Sequence, residues 1–105
     1  MTQFTVYRNK NPRSRATFPY LLDVQSDLLD GLQTRVVIPL TKAAALTRKP
    51  VAHLMPLVQF DGDNYVLMTP QLAGIPRNEL GPRAGSLAEH RDTIVAAMDF
   101  LVLGF

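Results

Sequence analysis

The chain has no cysteine and no tryptophan, and only two histidines in its 105 residues. The absence of cysteine excludes disulfide frameworks, thiol nucleophiles and cysteine-ligated zinc or iron–sulfur centres. It gives no sign of an oxidising compartment, so a soluble, cytoplasmic protein is the expectation. The longest apolar stretch, Thr93 to Phe105, is interrupted by Asp99 and falls short of the roughly 20 residues that a membrane span needs. The opening Met-Thr-Gln-Phe-Thr-Val-Tyr lacks the basic-then-apolar order of a secretory signal. Glycine-rich phosphate loops and metal-ligand spacings are missing as well.

What remains suffices for one domain over residues 1–105, with 47% hydrophobic and 19% charged content. A chain of this size removes roughly two-thirds of its unfolded surface from water, so it can build a core without metal or disulfide. The net charge of +2 is small but unevenly spread. Arg8, Lys10, Arg13 and Arg15 precede the first acid, Asp23, and are mixed with Asn9, Asn11, Pro12 and Ser14. That mixture reads as a mobile basic loop. It is either a solvated surface or a landing site for an acidic partner. Without interleaved aromatic residues it is a weak case for nucleic acid.

Alternation at Gln3–Tyr7 and at Tyr20–Val24 predicts half-buried strands, the second entered through Pro19. Asp30-Gly31 marks a turn. Arg35 to Leu40 is the strongest strand, with three consecutive β-branched residues. Thr41 to Leu46 has room for a short helical turn. Leu54–Phe60 and Asn64–Met68 flank Asp61-Gly62-Asp63, a hairpin signature. Pro70, Gly74, Pro76, Gly81 and Pro82 punctuate what reads as a loop-rich stretch anchored by Ile75 and Leu80. Ser86-Leu87-Ala88-Glu89 has the form of a capping box, and Gly104 is placed to end the helix that follows. Helical spacing puts Leu87, Ile94, Met98 and Leu101 on the core side. The opposite seam runs Asp92, Ala96, Asp99 and Leu103, flanked by Val95 and Val102, so it begins acidic and ends apolar. A surface helix ordinarily keeps a polar back. This one loses it in its last two turns, which predicts a subunit or partner interface; the competing reading tucks the helix end under the loops around Pro70 to Pro82.

Catalytic constellations are thin. His53 and His90 have no base–nucleophile spacing, and Asp61 and Asp63 read as a turn before they read as a cation site. Asp23 and Asp27 are candidate acid–base groups or simply exposed carboxylates. An arginine-based ribonuclease site leaves little local signature, so that alternative stays open.

Several segments in order resemble CcdB, the toxin of a toxin–antitoxin pair. They are Gln3-Phe4-Thr5-Val6-Tyr7, Leu22-Asp23-Val24-Gln25-Ser26-Asp27-Leu28-Leu29-Asp30, Arg35-Val36-Val37-Ile38-Pro39-Leu40, Met68-Thr69-Pro70-Gln71-Leu72-Ala73-Gly74-Ile75-Pro76, and the helix up to Gly104-Phe105. The resemblance implies a β-rich α+β fold, an SH3-like antiparallel barrel of the CcdB/Kid/MazF type with a C-terminal helix. It also implies a homodimer that is not an enzyme, needs no cofactor or metal, and poisons DNA gyrase by binding its A subunit and trapping cleaved DNA. An acidic, partly disordered antitoxin of the CcdA type neutralises such a toxin. Carried over residue by residue, the gyrase contacts are Leu28, Leu29 and Asp30, then Asp92, Ala96 and Asp99, then Leu103, Gly104 and Phe105. Arg8, Lys10, Arg13 and Arg15 are the antitoxin contacts by charge complementarity. The best-known members end Trp-Gly-Ile where this chain ends Leu103-Gly104-Phe105, which moves the aromatic contact to the last position. Alternatives to gyrase poisoning are an endoribonuclease of the related barrel family and a weakly toxic homologue that mainly sequesters antitoxin.

Overall fold

The computed structural model describes residues 2–105. Alternation builds a single antiparallel sheet from β1 (Thr5–Asn9), β2 (Tyr20–Asp23), β3 (Thr34–Lys42), β4 (Leu57–Phe60), β5 (Asp63–Leu67), β6 (Ala73–Pro76) and β7 (Leu80–Ser86), followed by one helix, α1 (Arg91–Leu103). The strand order is β4-β5-β3-β2-β1-β7, with β6 also paired to β3. Successive side chains along a strand take opposite faces. In β2, Tyr20 and Leu22 join the main core while Leu21 joins a second cluster with Val37 and Leu80.

The long strand β3 organises the rest. Val37 to Leu40 pair with β2, Leu40 to Lys42 with β5, and Thr34 to Val37 with β6. Pro39 sits mid-strand and has no N–H to give. Its carbonyl accepts from the Met68 amide at 2.9 Å. Directly after that bond the partner chain leaves the ladder in a 3-10 turn, Thr69–Gln71, and returns as β6 opposite Val37. The ladder is interrupted where β3 cannot donate, and the excursion packs against α1.

The sheet curls until its two end strands approach one another. A Cβ built on Gly85 of β7 would lie 2.7 Å from the Phe60 ring of β4, so the seam closes only over glycine. Phe60, Tyr20 and Tyr65 form an edge-to-face trio with centroids 5.1, 5.5 and 6.3 Å apart, a geometry that suits the ring quadrupoles. Leu87, Ile94 and Ala97 of the helical segment complete this core. Met98 is half-buried and Leu101 exposed, so Ala97 takes the place the periodicity gave to Leu101.

The structure departs from the sequence reading at several further places, among them β4, which begins at Leu57 rather than Leu54. β1 begins at Thr5 because Phe4 takes a left-handed φ of 69°, which no strand continues through. The loop-rich stretch from Pro70 to Pro82 holds β6 and the first three residues of β7. Gly81 permits the approach of β7 to β1, since a Cβ there would lie 2.5 Å from the Arg8 carbonyl oxygen. The capping box does not form. The Ser86 hydroxyl accepts from the Ala88 amide at 3.1 Å, a 3-10 turn Ala88–His90 intervenes, and α1 starts only at Arg91. Ser86 is still paired to Thr5 in the sheet, so the chain must turn before it can coil. Finally, β3 runs on to Lys42, and the short helical turn expected within Thr41 to Leu46 forms after it as one 3-10 turn, Ala43–Ala45.

Gly85→Ala should destabilise the fold by about 1–3 kcal/mol, the range for overpacking a tight contact. Adding Phe60→Leu should recover part of that loss, as measured by urea unfolding of the three variants. Burial, with Tyr20 and Asp63 adding to it, pushes the Tyr65 hydroxyl above its ordinary 10.0. The folded value therefore exceeds the unfolded one. The stabilisation is complete below the unfolded value and disappears as pH rises through the folded one. Phenolate absorbance should show Tyr65 among the late-titrating tyrosines, its ionisation coinciding with unfolding.

Candidate functional site

The Asp23-Val24-Gln25-Ser26-Asp27-Leu28-Leu29-Asp30 run leaves β2 and makes a 3-10 turn over Asp27–Leu29. The turn forms because the Ser26 hydroxyl accepts from the Leu28 amide at 3.2 Å and the Asp30 amide donates to the Asp27 carbonyl. Beneath it Asp23 and Arg35 are both fully enclosed, with Nη2 2.6 Å from Oδ2. The same oxygen accepts from Arg35 Nε at 3.1 Å, and Oδ1 accepts from the Gln25 amide at 3.0 Å. Burying two charges is unfavourable unless they are paired and their remaining hydrogen-bonding capacity is filled. Here the carboxylate has three donors. Arg35 Nη1 reaches out to Asp30 Oδ1 at 3.2 Å, and Gln25 bridges the Leu29 carbonyl and the Val36 amide at 2.8 and 3.0 Å. Burial raises the nearby Tyr7 hydroxyl above its ordinary 10.0, and the Asp23 charge adds to the rise.

This internal scaffold presents Leu28 at 94% exposure, beside the exposed Leu29 and Leu32. Asp23 is thus a structural anchor rather than the exposed or acid–base carboxylate of the sequence reading. Asp27 is exposed and accepts the Gln3 amide at 2.7 Å. Sequence reasoning missed the parts played by Gln25, Arg35 and Arg77. The available signal was an arginine in β3 two residues before Val37, on the face opposite Ile38.

On α1, Asp92 and Ala96 line a groove with Thr93, His53 and Pro56. Asp99 is exposed further along. The C-terminal turn exposes Val102, Leu103 and Phe105 at 76, 60 and 85%. Gly104, at φ 82°, donates its amide to the Phe100 carbonyl at 3.0 Å and closes the helix, the role in which glycine is preferred because left-handed φ is unstrained for it. The helix does pack against the Thr69–Gln71 turn, but its last turn stays uncovered within the chain. The Leu28 turn and the segment that leads into α1 are linked through Gln3 and Phe4. Gln3 N donates to Asp27, Phe4 N to the Asp23 carbonyl, and Leu87 N to the Phe4 carbonyl.

The basic segment is tied down rather than loose. Asn9 Nδ2 donates to Ser14 Oγ and to the Phe18 carbonyl, both at 2.9 Å. The Asn11 carboxamide oxygen accepts the Arg13 amide at 3.0 Å. Arg8 belongs to β1, where its guanidinium lies 5.6 Å from the Tyr20 ring centroid. Arg8, Lys10 and Arg15 surround one shallow depression with Pro19 and Pro82; Arg13 is exposed outside it. Asp61 and Gly62 both take left-handed φ, 52° and 78°, and form the two-residue hairpin turn. Among the described residues no cluster of three His, Cys, Asp or Glu side chains could hold a metal.

A family model for CcdB protein matches residues 3–104. The chain belongs to the CcdB family. It is accordingly a toxin of the toxin–antitoxin kind. Among solved structures, it is similar to an endoribonuclease in complex with its cognate antitoxin from mycobacterial species, with a TM-score of 0.75 at 16% identity over 97% of this chain and 94% of that one. At that identity the likeness establishes the barrel-like fold. In CcdB terms, the positions carried over as partner contacts fall on two exposed segments, the Leu28 turn and the outer seam of α1. Asp30 differs from its neighbours, since its carboxylate also turns inward to Arg35.

Arg35→Met should cost about 3–5 kcal/mol, because it leaves the buried Asp23 carboxylate without its cation; Asp23→Asn should cost less, because Arg35 keeps Asp30. Asp23→Leu combined with Arg35→Met should cost far less than the sum of the single losses. Urea denaturation of the single and double variants measures the coupling.

Proposed function

We propose that this toxin poisons DNA gyrase by binding its A subunit and trapping the gyrase-cleaved DNA complex, and that it does so by contact, without catalysis of its own. The observation carrying this reading is the exposed apolar surface at Leu28, Leu29 and the last turn of α1, which coincides with the positions carried over from CcdB. A monomeric domain gains nothing by leaving Leu28, Val102 and Phe105 in water. Deeply exposed apolar anchors held on rigid supports have the character of binding hot spots. Asp92 and Asp99 along the same helix would set orientation and exclude acidic partners.

The antidote is an acidic antitoxin segment that lies across Arg8, Lys10 and Arg15, with Arg13 at the margin. Those guanidinium and ammonium groups supply the complementary charge. The active species is a cytoplasmic homodimer, as in the family.

Purified protein incubated with gyrase, ATP and supercoiled plasmid should accumulate linear DNA after denaturation of the complex, while leaving RNA intact. Leu28→Ala and a truncation before Gly104 should each weaken gyrase binding by tens-fold, the scale of about 2 kcal/mol at a hot spot. Leu103→Trp should tighten it, because the indole adds contact area and stacking. RNA cleavage without trapped linear DNA would favour the ribonuclease fold relatives instead. Antitoxin binding without any effect on gyrase would make the protein a sequestering homologue.

A further inference from the structure

Arg77 stands outside every segment carried over from the family, yet it reaches into the proposed gyrase-contact turn. It follows β6 in the 3-10 turn Arg77–Glu79. Its own amide donates to the Gln33 carbonyl at 2.8 Å, which fixes its backbone to the chain entering β3. Its Nη2 donates to the Asp30 carbonyl and lies 3.6 Å from Asp30 Oδ1. Asp30 is the residue that ends the Asp27–Leu29 turn, and its carboxylate is also held by Arg35. Two guanidinium groups, one from β3 and one from the 3-10 turn after β6, thus converge on one residue, two positions after a leucine that is 94% exposed.

We infer that Arg77 is a positioning residue for gyrase recognition, acting through Asp30 to hold the Leu28–Leu29 turn in its binding-competent shape; this rests on the function proposed above. An exposed leucine on an unsupported loop would lose conformational freedom on binding, and that loss subtracts from affinity. A turn anchored before binding avoids it. Arg35 cannot supply this tether alone. It is buried with Asp23 and grips only the side chain of Asp30, whereas Arg77 holds the main chain, whose torsions set the direction of Leu28. Arg77 is itself partly exposed, so its removal leaves no buried charge unpaired and the fold should survive it.

The test compares the full-length protein with Arg77→Ala, Arg77→Lys, Leu28→Ala and the Arg77→Ala/Leu28→Ala pair. Binding to purified gyrase A subunit should fall about tenfold for Arg77→Ala, as expected if the competent turn drops to roughly a tenth of the population. Lysine should restore part of it, since its ammonium can still donate to the Asp30 carbonyl. In the Leu28→Ala background the Arg77 substitution should change affinity less than twofold, because nothing remains to be positioned. Amide hydrogen exchange in Arg77→Ala should accelerate at Leu28, Leu29 and Asp30 and stay unchanged in the core strands, with the melting temperature within a few degrees. Additive losses in the double variant, or exchange at the turn that does not respond to Arg77, overturn the inference. If the unaltered protein fails to bind gyrase, the proposed function falls. The exchange measurement then still shows whether Arg77 holds the turn.

Discussion

A carboxylate and a guanidinium 2.6 Å apart, with water reaching neither side chain, set the conditions under which residues 23–36 fold. Neither charge is tolerable there by itself. Their pairing requires β2 and β3 in one register, with Asp23 opposite Val37 and Arg35 two positions on. It also requires Gln25 to turn back and donate its amide to Asp23. Once these bonds exist, the chain after β2 has little choice of path. The Gln25 carboxamide sits between Leu29 and Val36, and the turn carrying Leu28 is pushed outward. The exposure of Leu28 is a consequence of an interior electrostatic requirement.

The two halves of the candidate surface are supported differently. The Leu28 turn stands on polar bonds, and the outer seam of α1 stands on apolar packing of Ile94 and Ala97. Gln3 and Phe4 hydrogen-bond to the first and, through Leu87, to the segment that leads into the second. Phe4 does so from a left-handed backbone conformation that is unfavourable for a bulky residue. Its ring, buried in the main core, compensates for that strain. The fold therefore uses one core aromatic to keep two surface segments in a fixed relation.

Much of the architecture was legible in the sequence because alternation reports burial directly. β2, β3 and the β4–β5 hairpin follow from apolar spacing and the Asp61-Gly62 turn, and α1 follows from Ile94 and its helical neighbours. The losses have physical reasons. β6 and β7 are rich in glycine and proline; β6 qualifies as a strand only through its pairing with β3, and β7 only through the close approach that Gly81 and Gly85 permit, neither of which a local pattern encodes. The capping box failed because sheet pairing held Ser86. At the site, the exposed leucines and the apolar helix end could be read from periodicity and family resemblance. The supports could not. Arg35 beside Val36 and Val37 has the local pattern of a strand residue facing water, and only the register of β2 against β3 reveals that it faces Asp23. Arg77 lies 47 positions from Asp30, a separation that spacing rules do not reach.

The closure of the barrel has a mechanical meaning. The strand path ends at β4 on one side and β7 on the other, and the ends meet through the Phe60 ring resting on Gly85. Backbone ladders resist sliding because their bonds are directional. A ring against a glycine resists compression but offers almost nothing against shear. The seam is thus the line along which the curled sheet can shift as one body while every ladder within it stays intact.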